Sequence, residues 1–514
     1  MTVQFEPSLS SASTQPQNGV WDQPDSQNSL FNPSLDGPRE VRTVDNTRVA
    51  ADERRGNATE IDGNATNTGT REQTESATGQ PLFIDKLGNT ANVEITRERT
   101  AEADGSGQYY VLADQLVFKT GNGDDKVKVT QGDNGSLSFD VNGEQYDVKL
   151  AQGQQLTVRT GDGNDNIEID PSVQVNFIIE AGAGEDTIQG GAGNDRIDGG
   201  GDNDTIDTGA GFNYVFGGSG DDAIKAGDDN NTLYGGDGVD TITGGKGNDY
   251  IEGGKGNDII AAGDGKNVLS GGLGDDTITA SGNGDRIYTG GGTNTVGNIG
   301  ADGLVYAAGV GDKLTGIGNA DPNVVNVVLN SDSGVKGVRV EGSEAFVQRV
   351  EADIEMLRSS PNGQQMLAEF DKAAANGNVV TIRELQNVDN GYAQSVGGSD
   401  ISNGRPGNSG PVDISYNPAF AIPELPVPSV TLFHEMSHAY NGVNGTFLPG
   451  TYTGPGPDQN QVPNAERQAV GLETTAAPYD FGDGSGPITH NPTALSENGL
   501  RAEMGLELRP SYAI

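Results

Sequence analysis

From Ala181 to Gly297 the chain repeats every nine residues, thirteen times without a slip. The copies GGAGNDRID, GGKGNDYIE, GGKGNDIIA and GGLGDDTIT show the unit most clearly. Its sixth position is always Asp or Asn. Its eighth is always Ile, Val or Leu, from Ile188 through Ile197, Ile206, Val215, Ile224, Leu233, Ile242, Ile251, Ile260, Leu269, Ile278 and Ile287 to Val296. So short a period dictates a solenoid, because each unit can bury its aliphatic side chain only against its equivalents in neighbouring units. Glycines permit a tight turn, and the turn carbonyls and the Asp carboxylate offer the hard oxygen ligands that calcium prefers. Two nonapeptides make one coil, so turns 18 residues apart stack along one edge.

One edge then carries Asp186, Asp204, Asp222, Asp240, Asp258 and Asp276 in unbroken succession. The other carries Asp195, Asn213, Asn231, Asp249, Asn267 and Asp285. Affinity for calcium follows ligand charge, so the first edge is expected to take most of the metal. The pattern resembles the GGxGxDxUx repeat of RTX proteins, which implies a parallel β-roll, a β-solenoid that binds several structural calcium ions.

Composition supports a cation-binding chain. Of the 514 residues, 74 are acidic and 31 basic, for a net charge of −43. Such a chain repels phosphate backbones and anionic membrane surfaces, which argues against nucleic acid as a partner. Mutual repulsion of the carboxylates opposes compaction unless something neutralises them. The absence of cysteine removes disulfides, thiolate zinc sites and cysteine nucleophiles. No stretch is long and apolar enough for a membrane span, and the N-terminus has neither a basic start nor an apolar core.

The rest of the chain divides around the repeat. Residues 1–80 are polar and aperiodic and are expected to be disordered, a flexible or secretion segment. Residues 81–180 hold short β-prone runs and two isolated repeat-like units, TGNGDDKVK and TGDGNDNIE, and read as a cap or as first coils. Residues 181–297 form the roll, and 298–335 read as a capping turn and linker. From 336 to 514 the pattern is that of an α+β domain. Phe346, Val350, Ile354 and Leu357 share one helical face, and NVVTIREL and VDISYNP read as strands. The strand around Ile414–Tyr416 is expected to pair with an extended substrate.

Within this last domain, PSVTLFHEMSHAYNGVNG contains HExxH. Four residues apart on a helix, His434 and His438 face the same way and can grip one zinc ion, while Glu435 can take a proton from a bound water. The chain has only three histidines, and two fall in this pattern. A third ligand six residues beyond His438 is excluded, because position 444 is Asn. A carboxylate is the natural substitute. Glu466, in NAERQAVGLE, is the first choice and Glu473 the second, with His490 as a further alternative.

The segment also resembles the peptidase M91 family of bacterial type III effectors, which includes MAP-kinase-cleaving members. The residues that carry the likeness are VQRVEADIEMLRSSPNG, TIRE, HEMSHAYNG, ERQAVGL and ENGLRAEMGLELRPSY. HExxHAxxxxxG is similar, too, to clostridial neurotoxin light chains. That resemblance implies Glu466 as third ligand, and gives Arg509 and Tyr512 the place of an RxxY pair that stabilises the tetrahedral intermediate. Together these imply a multidomain protein ending in a zincin-like, gluzincin-like zinc metalloendopeptidase. It would be a secreted virulence effector, monomeric, cleaving a host protein, with a signalling kinase as one target class. The alternative is a calcium-binding structural or adhesive exoprotein whose peptidase fold is inert. RTX repeats point to type I export and the M91 likeness to type III injection, so the route stays open.

Overall fold

The computed structural model describes residues 58–65, 72–75, 81–103, 109–132, 135–281, 283–309, 311–316, 322–385, 391–419 and 427–512. Most of the segment expected to be disordered, including all of 1–57, lies outside them. Two pieces of it are strands, Thr59–Asp62 and Glu72–Glu75. Ile61 joins the apolar core of the roll, so ordered chain starts before residue 80.

With the strands that flank them, the repeats build two long sheets, of 13 and 14 strands among the described residues. Successive nonapeptides alternate between them. Ile188, Ile206 and Ile224 lie in parallel register in one sheet, and Ile197, Val215 and Leu233 in the other. These eighth-position side chains meet between the sheets in one buried core. Full burial of such a side chain contributes about 1.5–3 kcal/mol, and every nonapeptide repeats the gain.

The roll extends beyond the uninterrupted repeat at both ends. Val127 and Ile167 precede Ile188 in one ladder, and Phe118 and Val158 precede Ile179 in the other. The region 81–180 thus supplies first coils, and its antiparallel hairpins close the N-terminal end of the sheets. That protects edges that would otherwise invite pairing. The expected linker 298–335 needs correction. Leu304–Ala307, Lys313–Gly316 and Asn323–Asn326 continue the two ladders. Val305 and Leu314 hold the nine-residue spacing after Val296, although the first, second and fourth positions of the unit no longer hold glycine.

The C-terminal domain has a four-stranded sheet in the order Val338–Glu341, Val380–Glu384, Val412–Tyr416, Gly391–Gln394. The first three strands are parallel and the last is antiparallel. Val412–Tyr416 is therefore an interior strand, with both ladders already used, and cannot take a substrate by edge pairing as its sequence suggested. Gly391–Gln394 is the open edge. Helix α1, Glu344–Ser359, starts where the Ser343 side chain accepts the Phe346 N–H, and buries Phe346, Val350, Ile354 and Leu357 as its spacing predicts. Helix α2, Pro361–Ala374, follows with Ser360 as cap and proline in its first turn. Helix α3, Pro428–Asn444, is buried nearly all round and packs on Val412–Tyr416 and Gly391–Gln394. It stops at Gly445, whose φ of 68° and close approach to the Gly407 carbonyl exclude a side chain. Two short helices complete the domain, α4, Asn464–Val470, and α5, Glu497–Glu503. No helix among the described residues is long and apolar enough to cross a membrane.

Candidate active site

Helix α3 presents His434 and His438 on one face, and α4 brings Glu466 against them. His438 Nε2 lies 3.2 Å from His434 Nε2 and 3.1 Å from Glu466 Oε2. His434 Nε2 is 3.5 Å from the same carboxylate oxygen. Among the described residues this is the one group of three side chains whose donor atoms all lie within 4.8 Å and could share a metal ion. Two imidazole nitrogens aimed at each other and at one carboxylate fit a cation better than they fit each other. The second oxygen of Glu466 is buried and has no hydrogen-bond partner.

The two other candidates for third ligand sit elsewhere. Glu473 is exposed and accepts from the Thr489 hydroxyl, with its carboxylate 3.8 Å from His490 Nε2. His490 Nδ1 hydrogen-bonds the Asn491 carbonyl at 2.6 Å. Neither joins the centre. Asn444 donates to the Tyr440 carbonyl at the end of α3.

Why α4 holds its place is visible in one side chain. Gln468 donates to Asn441 Oδ1 at 3.0 Å, to the Thr446 carbonyl at 2.9 Å and to Asn491 Oδ1 at 2.9 Å. Its own oxygen accepts the Leu448 N–H at 2.8 Å. This buried network ties Glu466, two residues away, to the helix carrying the histidines.

The sequence reading missed Glu497. Its Oε2 lies 2.9 Å from His434 Nδ1 and 3.0 Å from Arg509, and its Oε1 is 3.2 Å from Arg501. With Nδ1–H committed to Glu497, His434 keeps its Nε2 lone pair for a metal. Burial alone would raise the Glu497 carboxyl, but Arg509, His434 and Arg501 hold it down at about 2. Burial likewise opposes charge on Glu466, which His438 and His434 hold at about 2. Burial disfavours a charged His434, yet hydrogen bonds to Glu466 and Glu497 outweigh it and raise the imidazole to about 10. Before a metal arrives, a proton takes its electrostatic place.

Glu435 stands apart from this network. Burial raises its carboxyl above the usual range, partly offset by the neighbouring imidazoles and the Ala393 N–H of the edge strand. One of its oxygens has no hydrogen-bond partner. The Tyr512 ring lies 6.2 Å from the His434 ring. Arg509 is occupied by Glu497 and by the Tyr512 carbonyl at 2.8 Å. The tail is fixed further by Asp458, which accepts the Tyr512 N–H at 3.0 Å and pairs with Arg467.

The roll holds a second set of candidate ligands. Along the first edge each Asp uses Oδ1 to accept the backbone N–H of its equivalent one coil earlier, as Asp240 does from Asp222 at 2.8 Å. Oδ2 of Asp186, Asp204, Asp222, Asp240, Asp258 and Asp276 is buried without a partner. Asp125 and Asp165, from the two isolated units, extend the row upstream. On the second edge only Asp195 and Asp249 show the same orphaned oxygen, and Asp285 is engaged by Ser281. A Cβ at Gly217 would come within 2.4 Å of Asp222 Oδ2, so the unit needs glycine there. A row of unpartnered buried carboxylate oxygens fits a divalent cation.

No curated protein and no solved structure gives a match to the chain. Residues 178–206, 198–233, 207–242, 234–269 and 261–296 match the family model of the RTX calcium-binding nonapeptide repeat (4 copies), and residues 335–512 match that of the peptidase M91 family, described as effector protein.

Proposed function

We infer that this protein is a zinc endopeptidase carried on a calcium-binding roll. The convergence of His434, His438 and Glu466 carries the reading. These three would hold the zinc, which when bound polarises the scissile carbonyl and acidifies water. Glu435 accepts the proton of the attacking water and passes it to the leaving amine. Its raised basicity and its oxygen without a partner suit that task. Glu497 fixes the tautomer and orientation of His434, and Arg509 and Arg501 fix Glu497. Tyr512 stands beside the centre as the donor to the oxyanion, with Arg509 positioning it rather than touching substrate. The edge strand Gly391–Gln394 lies next to Glu435 and can align an extended peptide by backbone pairing.

In the roll, calcium loads mainly on the edge from Asp186 to Asp276, where the orphaned oxygens form an unbroken run. The resemblance to effectors supports a secreted protein whose substrate is a host protein, with signalling kinases the first class to try. Metal analysis and peptide cleavage, measured on the same preparations, test the reading. The native chain should hold one tight zinc, Glu466→Ala should lose it, and Glu435→Ala should keep it while cleavage falls by about a thousandfold or more. Calcium in excess with no zinc would instead favour a structural exoprotein with an inert peptidase fold.

A further inference from the structure

One face of the roll is aromatic and the other is not. In the sheet containing Tyr214–Ser219, positions flanking the inward aliphatic side chains hold Tyr214, Phe216, Tyr234, Tyr250, Tyr288 and Tyr306, each 5% exposed or less. In the opposite sheet the matching positions hold small residues such as Thr205, Ala223, Thr241 and Thr277, all exposed. The aromatic row shares a single apolar core with Phe346 and Val350 of α1 and with Val430, Phe433 and Met436 of α3. The peptidase domain thus completes its core on the roll.

Polar contacts fix the register of that docking. Asp353 of α1 is fully buried, and Tyr234 and Tyr250, from neighbouring coils, donate to its Oδ1 at 2.9 and 3.3 Å. Arg349 pairs with Asp198 at 3.2 Å and lies over the Phe216 ring. Tyr288 donates to Glu503 Oε1 at 3.1 Å, and Tyr306 to the Glu503 carbonyl at 3.0 Å. Glu503 ends α5, the helix that Glu497 begins, and Glu497 holds His434. Tyr416, in the same core, donates to the Pro428 carbonyl at the start of α3 at 2.9 Å.

The strands that bear this face also line the orphaned carboxylates. A Cβ at Gly235, next to Tyr234, would lie 2.3 Å from Asp240 Oδ2, and one at Gly253, next to Glu252, would lie 2.5 Å from Asp258 Oδ2. Without a cation these buried charges have no partner and repel along the row. The coils that set the spacing of Tyr234 and Tyr250 are then the ones that lose support.

We propose that calcium bound in the roll governs the peptidase domain: the aromatic face is a platform that forms only in calcium-loaded coils, and α1, α3 and α5 reach their working arrangement by docking on it. The proposal rests on the peptidase reading only where activity is measured. The decisive experiment is hydrogen exchange on the full chain across a calcium titration at fixed zinc. Residues 344–359 and 428–444 should gain protection over the same calcium range as the strand Tyr250–Lys255. In a Tyr234→Phe, Tyr250→Phe double variant at saturating calcium, the roll should keep its protection while α1 and α3 exchange about tenfold faster. Helices protected equally with and without calcium would overturn the platform. Coupled protection with no cleavage at any calcium level would uphold it and count against the peptidase reading alone.

Discussion

Asp240 in the roll and Glu466 beside helix α3 are both almost fully inside the protein, 0% and 2% exposed, yet their surroundings drive them in opposite directions. Burial raises Asp240 to about 8, with only the Asp222 N–H to offset it. Glu466 is equally buried, but two imidazoles bring it down to about 2. The difference lies in what each region contains of its own. The group of His434, His438 and Glu466 has internal counter-charges and is electrostatically complete before any metal arrives. The roll has carboxylates and backbone donors but no cation, so its turns are complete only when one is supplied.

The contrast breaks most visibly under pH change in calcium-free protein. Asp204, Asp240 and Asp249 are raised to about 8, and Asp195, Asp222 and Asp276 to about 7. Their folded values lie above the ordinary 3.8, so the folded roll holds protons that the unfolded chain has released. Stability is then full below about pH 4 and is lost as pH rises to about 8. The midpoint of thermal unfolding without calcium should drop by on the order of ten degrees between pH 5 and pH 8. Saturating calcium should abolish that drop. A flat profile without calcium would mean that burial does not hold protons on the turn carboxylates.

A smaller effect comes from removing the counter-charge logic around His434 and Glu466. Glu497→Gln leaves Arg501 and Arg509 facing a neutral group and should cost about 3–5 kcal/mol, seen as a lower denaturant midpoint with or without calcium. Zinc affinity should fall about 10–100-fold, measured by competition with a chelator. Unchanged affinity would detach Glu497 from the orientation of His434. The smallest effect tests the two edges of the roll against each other. Asn267→Asp restores a charge between Asp249 and Asp285, where Asn267 now donates to Asp285 at 3.1 Å. Calorimetry should show calcium binding tighter by a few-fold on that edge, about 1 kcal/mol. No change in stoichiometry or affinity would leave the second edge without a role.

The roll was legible because one aliphatic position and one Asp-or-Asn position recur without exception from Ile188 to Val296 and from Asp186 to Asn294. Its C-terminal end was not. Val305, Leu314 and Asp312 keep the phase, but the glycines that announce the unit are missing around them. The aromatic face lay in two registers of period 18, one with Tyr214 and Tyr250 either side of Thr232, the other with Phe216, Tyr234, Tyr288 and Tyr306 interrupted by Glu252 and Ser270, and a reading fixed on the nine-residue unit averaged it away. HExxH named its own residues because the two histidines lie one helical turn apart. Glu466, 28 residues beyond His438, was preferred among the carboxylates because NAERQAVGLE reads as a second helix, and the likeness to known peptidases pointed to the same residue. Glu497 lies 63 residues from His434, and nothing local marks it except an i, i+4 pairing with Arg501. The edge strand Gly391–Gln394 lacks the β-branched run that a strand usually shows, so its neighbour Val412–Tyr416 attracted the substrate role instead.

The stacking of coils turns repeat number into a measure of length. Each added coil advances the sheet by one strand spacing, about 4.8 Å, and carries everything beyond it by that step. Coils inserted before the strand Arg196–Gly201, which carries Asp198, lengthen the molecule without moving any of these anchors of the C-terminal domain. A coil inserted between Tyr250 and Tyr288 would pull Asp353 and Glu503 to separations that α1 and α5 cannot both span. The roll is thus free to vary in size at one end and held to a fixed gauge along the stretch that faces the C-terminal domain.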